Sequence, residues 1–211
     1  MIHRLIQITI FVFLVSYSGT AVFAQSNIDS LKPYTACKVR GDLKIREVTH
    51  RDSKKSFREV IIGSEKKQVS VVDGYRVMFA YPDLPYYFAN VKIEQSSAES
   101  YDKDKEILIN QMKYFTTTKE PTGMILSDMV LLNGFAHYGL DRDKIDVGGT
   151  VGTHILFHDS KHLVITIYFL NQSKAAFFNN RRFESIKEYH ELKDDFLNSY
   201  SQCLKSVADA R

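Results

Sequence analysis

The chain has 211 residues, of which 44% are apolar, 12% aromatic and 25% charged, with ten glycines and four prolines. That composition excludes collagen-like, low-complexity and largely disordered classes. The formal charge of +3, from 28 basic and 25 acidic residues, is too even for a dedicated polyanion binder, so no nucleic-acid partner is expected.

The chain opens with a short basic start, Met1-Ile2-His3-Arg4, followed by Leu5–Val15, apolar except for Gln7 and Thr9. Val22-Phe23-Ala24 then offers a small-x-small cleavage site before Gln25. The apolar run is too short for a membrane span, so residues 1–24 are predicted to be a secretory signal peptide, with a retained N-terminal anchor as the rival reading. Residues 25–211 contain no linker, repeat or block of like charge, and are expected to fold as one secreted or periplasmic domain, a monomer without a transmembrane segment. Export makes Cys37 and Cys203 a candidate disulfide, since oxidising compartments favour pairing. The competing reading is two buried thiols. Two cysteines alone cannot make a four-ligand zinc site.

Val60–Ile62 and Val69–Val72 are β-branched runs around the polar turn Gly63–Lys67, which predicts a hairpin. Asp73-Gly74 punctuates the chain before Tyr75–Tyr81, where Tyr75, Val77, Phe79 and Tyr81 share one strand face. Pro82-Asp83-Leu84-Pro85 breaks that strand, and Tyr86–Glu94 resumes as another. From Ser97 to Thr116 the period becomes helical, with Tyr101, Leu108, Met112 and Phe115 on one side and Lys103, Asp104, Lys105 and Glu106 on the solvated side. Two strands are predicted within Met124–Gly139, and a clearer pair at Val151–Phe157 and Leu163–Leu170. Ser185-Ile186-Lys187-Glu188 is a capping box that starts a last helix running to about Ser206. Its apolar seam is Ile186, Tyr189, Leu192, Phe196, Tyr200 and Cys203. Helices are missing between most strands, so parallel crossovers are excluded and a mainly antiparallel α+β domain follows, with a central long helix and a C-terminal helix packed on the sheet.

The segment Gly74-Tyr75-Arg76-Val77-Met78-Phe79-Ala80-Tyr81-Pro82 resembles the PsbP-like family, in which an aromatic-rich strand ends in Tyr-Pro before another strand and a long helix. The order of elements over residues 57–205 is similar to that family's α/β/α sandwich. The resemblance implies a non-enzymatic accessory or partner-binding protein of an exported compartment.

Several groups of residues carry candidate chemistry. His154, His158 and His162 recur every four residues on the last hairpin, and with Asp159 could bind zinc, copper or nickel. This gives the alternative reading, a metal-binding protein or metal-dependent hydrolase; the competing reading is three strand-end histidines on a polar surface. Asp141, Asp143 and Asp146 crowd a turn but lack the order and closing glutamate of a calcium loop. Gly148–Thr153 lacks the lysine of a phosphate loop. No Gly-x-Ser-x-Gly elbow is present. Glu94 ends a strand and Glu99 falls in the capping turn of the next helix, positions that a structural role explains without a catalytic acid pair. Arg40-Gly41-Asp42 reads as a turn, and Asn171-Gln172-Ser173 is a glycosylation sequon. The loop Tyr81–Phe88 is the strongest feature. Two prolines stiffen it, and Tyr86 and Tyr87 cannot both face the core, so these two are the candidate contacts for an unidentified protein or glycan in the extracytoplasmic space. Lys174, Arg181 and Arg182 read as a solvated approach to the last helix. No catalytic residue and no cofactor are predicted.

Overall fold

Alternating apolar residues between glycine- and proline-marked turns give strands, most of which pair with a near neighbour in the chain. The computed structural model describes residues 30–51, 56–82, 87–117, 123–144, 149–171, 183 and 185–210. Residues 1–24, expected to be a signal peptide, and Tyr86, Asp146, Gly148, Lys174, Arg181 and Arg182 lie outside that set. The strands are β1 (Lys44–His50), β2 (Phe57–Ile62), β3 (Glu65–Ser70), β4 (Asp73–Ala80), β5 (Tyr87–Gln95), β6 (Met124–Leu126), β7 (Val130–Leu132), β8 (Phe135–Arg142), β9 (Gly149–His158) and β10 (Leu163–Asn171). Helix α1 spans Tyr101–Thr117 and α2 spans Ile186–Asp209. The main sheet runs β1-β4-β5-β10-β9-β8-β6, with β7 also paired to β8, and all its pairings are antiparallel. Strands β2 and β3 form a separate hairpin.

Strand alternation sends side chains to two layers. On one face Val77, Phe79, Val91, Ile93, Ile167 and Phe169 meet Tyr189, Phe196, Tyr200 and Leu204 of α2. The Phe196 ring sets its edge against Phe79 and Phe169, with centroids 5.0 and 5.4 Å apart. On the other face Leu140, Ile155, Phe157 and Val164 meet Tyr101, Leu108 and Met112 of α1, with Val60 and Val69 of the hairpin closing the layer. Each buried ring or branched chain of this kind stabilises the fold by about 1.5–3 kcal/mol. The architecture is therefore an antiparallel α+β sandwich with one helix on each face.

Local signals explain the element ends. Ser185 caps α2, its side chain accepting a hydrogen bond from the Glu188 backbone N–H at 3.1 Å. Gly63 turns the β2–β3 hairpin at φ +61°, and the Tyr114 ring packs over it. The expected strand at Tyr75 begins two residues earlier, so Asp73 and Gly74 belong to β4. Between Met124 and Gly139 there are three strands, because β6 and β7 are short pieces that both pair with β8.

Two expectations on α1 are corrected. Asp104 is buried, not solvated: its Oδ2 accepts from the Ser70 N–H at 3.0 Å, Ser96 Oγ at 2.5 Å and Ser100 Oγ at 2.9 Å. Three donors from neighbouring turns offset the cost of removing that carboxylate from water. Phe115, expected in the core, is 40% exposed at the helix end. Asn171 closes β10 with its side chain buried, which leaves it poorly placed as a glycosylation acceptor.

Cys37 follows a short 3₁₀ turn at Lys32–Ala36 and lies beside Cys203 of α2, with Cα atoms 5.6 Å apart, a geometry that suits a disulfide. This pairing ties the start of the described chain to its last helix. The double variant Cys37→Ala/Cys203→Ala is expected to lose about 2–4 kcal/mol in urea unfolding. Peptide mapping without reductant should recover the two cysteines in one linked fragment, and separate thiol-bearing fragments would contradict the pairing.

Candidate functional site

The three hairpin histidines do not converge. His154 points into the α2 layer and is 1% exposed. His158 lies at the strand end with its ring 5.0 Å from Phe135, in the same layer. His162 sits in the turn at φ +50° and packs on Tyr101, in the opposite layer. Among the described residues no group of three or more His, Cys, Asp or Glu side chains is placed to hold a metal ion. A four-residue spacing gathers side chains on a helix, and this segment is a hairpin, so the three rings part. Asp141 and Asp143 do not form a calcium loop either. Asp141 turns inward, and Asp143 lies against Gly123.

Asp141 instead centres a buried polar cluster between β8, β9 and α2. Its Oδ1 accepts from His154 Nε2 at 3.0 Å and from the Tyr189 hydroxyl at 2.5 Å. Its Oδ2 accepts from Lys193 Nζ at 2.7 Å. Because the carboxylate only accepts, Nε2 of His154 carries the proton, and the bare Nδ1 accepts from His137 Nε2 at 2.9 Å. The two imidazoles stack with centroids 5.2 Å apart. Lys193 also reaches Nδ1 of His190 at 3.1 Å. Gly139 and Gly152 make the room. A Cβ at Gly139 would lie 2.7 Å from the His154 ring, and one at Gly152 would strike the Tyr189 hydroxyl.

The electrostatics follow from burial. Burial pushes His137 down to about 4, and repulsion from His154 when that ring is protonated and from the Lys193 ammonium adds to the effect. Burial also lowers His154, outweighing the pull of Asp141. For Asp141 burial acts upward, but hydrogen bonds from His154, Lys193 and Tyr189 win and hold the carboxyl well below its usual range. Burial and the Asp141 charge raise the Tyr189 hydroxyl. The cluster is thus a Lys193–Asp141 ion pair with two neutral imidazoles at neutral pH. Its groups satisfy one another and seat α2 on the sheet. The sequence pattern missed it, since Asp141, His154, Tyr189 and Lys193 come from three separate elements. The paired glycines at 139 and 152 were its one local trace.

A second polar region is open. A groove of about 350 Å³ is lined by Thr49, His50, Arg51, Arg58, Gly74, Tyr75, Arg76, Lys92 and Glu94. Register sets Thr49, Arg76, Lys92 and Thr166 in one row across β1, β4, β5 and β10. The next row along those strands holds Gly74, Glu94 and Val164. Glu94 is buried, accepting from Arg58 Nε at 2.8 Å and standing 3.8 Å from Arg51 Nη1. Asp73 Oδ1 meets His50 Nε2 at 2.7 Å. Arg76 donates through Nε to Asn90 Oδ1 at 3.1 Å, and the Lys92 ammonium lies 5.2 Å from the Tyr168 ring centre. Among the described residues no carboxylate pairs with Arg76 or Lys92. At the far end of this face the Tyr87 hydroxyl donates to Glu47 at 3.2 Å. Arg40-Gly41-Asp42 forms an exposed turn at φ +78° for Gly41, near Leu192 and Asp195 of α2.

No family model and no curated protein match this chain, and the PsbP-like resemblance stays one of element order. Among solved structures, the chain is similar to the immunity protein TplEi of T6SS from Pseudomonas aeruginosa, solved in complex with an "L" peptide. The TM-score is 0.35 with 18% identity, covering 75% of this chain and 57% of that one. The chain thus spans less than two thirds of that protein, and an overlap so loose transfers neither partner nor role.

Two outcomes test the cluster. Asp141→Ala takes from buried Lys193 its nearer carboxylate, leaving it the more exposed Asp194 at 3.5 Å, and is expected to cost about 3 kcal/mol in urea unfolding. The histidine effect carries a definite sign. The unfolded chain binds protons that the folded state refuses between 6.5 and about 4, so stability falls on acidification through that window, by up to about 3 kcal/mol for His137. Below it, Asp141 subtracts further stability as its carboxyl protonates. A urea series against pH reads the slope, and His137→Gln should flatten it in the upper window.

Proposed function

We propose that this is an exported, non-enzymatic partner-binding protein whose contact surface is the uncovered sheet face over β1, β4 and β5. One observation carries the reading: the Asp141 cluster is closed beneath α2, while the groove on this face is open and lined by charged side chains. On this face α1 packs with the β2–β3 hairpin over Leu140, Ile155, Phe157 and Val164, towards the β8–β10 side. The basic and apolar start of the chain and the Cys37–Cys203 pairing support export. Tyr87 borders the face, its hydroxyl donating to Glu47 of β1. An aromatic rim beside a rigid sheet loses little entropy on association.

Photo-cross-linking in the native cell envelope tests the reading. A photoreactive residue at Thr49 or Tyr87 should give a heavier adduct, whereas one at Lys187 on α2 or at the 76% exposed Leu131 should not. Tyr86→Ala/Tyr87→Ala should weaken the Thr49 adduct while leaving the circular dichroism spectrum unchanged. Adducts at Leu131 alone, or none at either face position, would reject this surface.

A further inference from the structure

We infer that the groove over β4 and β5 recognises a carboxylate-rich, extended segment of a protein partner, using Arg76 and Lys92 as its principal anchors. The inference rests on the contact face proposed above and assigns its chemistry. Arg76 and Lys92 stand directly opposite each other on neighbouring strands, a like-charge arrangement that costs stability. Most such pairs are relieved by a nearby acid, yet the described residues place none on either of these. The groove sets four cationic side chains against one carboxylate, and Glu94 is already engaged by Arg58 and Arg51. Asp73 adds a second acid, but behind His50.

The cations are also held in place. Asn90 fixes Arg76 through its Nε, which leaves the outer edge of the guanidinium fork for a planar oxyanion. Lys92 rests over the Tyr168 ring. An acid meeting these groups therefore loses less side-chain entropy than one meeting free surface lysines.

Spacing favours a polypeptide over a lone anion. Arg76 and Lys92 form one row, and Arg58 and Arg51 gather at Glu94 in the next, two residues further along the strand. Two residues of strand span about 7 Å, the distance between side chains on one face of an extended peptide. A segment with acids at alternate positions reaches both rows, whereas a single phosphate reaches one.

Calorimetry with the purified protein separates the alternatives, using an oligoglutamate peptide, an oligolysine peptide of equal length, inorganic phosphate and a sulfated heparin oligosaccharide. Oligoglutamate should bind, and more weakly as salt rises. Arg76→Ala/Lys92→Ala should weaken it roughly tenfold, the sum of two exposed charge contacts. That variant relieves the like-charge row, so its urea midpoint should not fall, which guards against loss of the fold as the cause. Equal binding by parent and variant overturns the inference, as does equal binding of oligoglutamate and oligolysine. Binding of phosphate or heparin without oligoglutamate also overturns it, by assigning the cations to another ligand. If these fail while Thr49 and Tyr87 still cross-link, the contact face stands and only its acidic partner chemistry is lost.

Discussion

A sheet whose path crosses seven strands is about 30 Å wide at the usual inter-strand spacing, while one helix covers about 10 Å. Two helices on opposite faces therefore cannot seal both. Here α2 is the longer, 24 residues, and its aromatic seam fills one layer from Phe79 to Phe169. The 17-residue α1 closes the other layer only near β8 and β9, with help from the β2–β3 hairpin. That unequal coverage decides which polar groups become internal and which stay in water.

Under α2, the polar groups around Asp141 persist because they bind one another. Asp141 and Lys193 lose water on folding, and three donors on one carboxylate compensate for that loss. The glycines at 139 and 152 are the steric condition for the arrangement, since a methyl at either would displace His154 or Tyr189. The result is a fixed seat for the first half of α2, with its far end tied at Cys203. A rigid frame of this kind leaves the opposite sheet face preformed, which suits binding by fixed side chains.

Sheet and helix positions were legible in the sequence because their signals are local. Tyr75, Val77 and Phe79 alternate, Ser185 and Glu188 cap α2, and Tyr101, Leu108 and Met112 recur at helical spacing, and each does what that spacing requires. The sites were less legible. Asp104 reads as a surface acid in a charged run, and only the approach of Ser70 and Ser96 from outside the helix makes it internal. His154, His158 and His162 look related along the chain, yet the hairpin turn divides them between two layers. The cationic groove left no trace in a net charge of +3, because its arginines and lysine are scattered between residues 51 and 92.

By itself the sequence determined most of the secondary structure, the antiparallel class and the two cysteines available to pair, since these depend on periodicity, capping and residue type over a few positions. Only the tertiary structure decided that Asp141 is an interior hub, that the histidines part, and that Arg76 and Lys92 share an open row. Those outcomes depend on strand register and on which helix covers which face, and both are set by contacts between residues far apart in the chain.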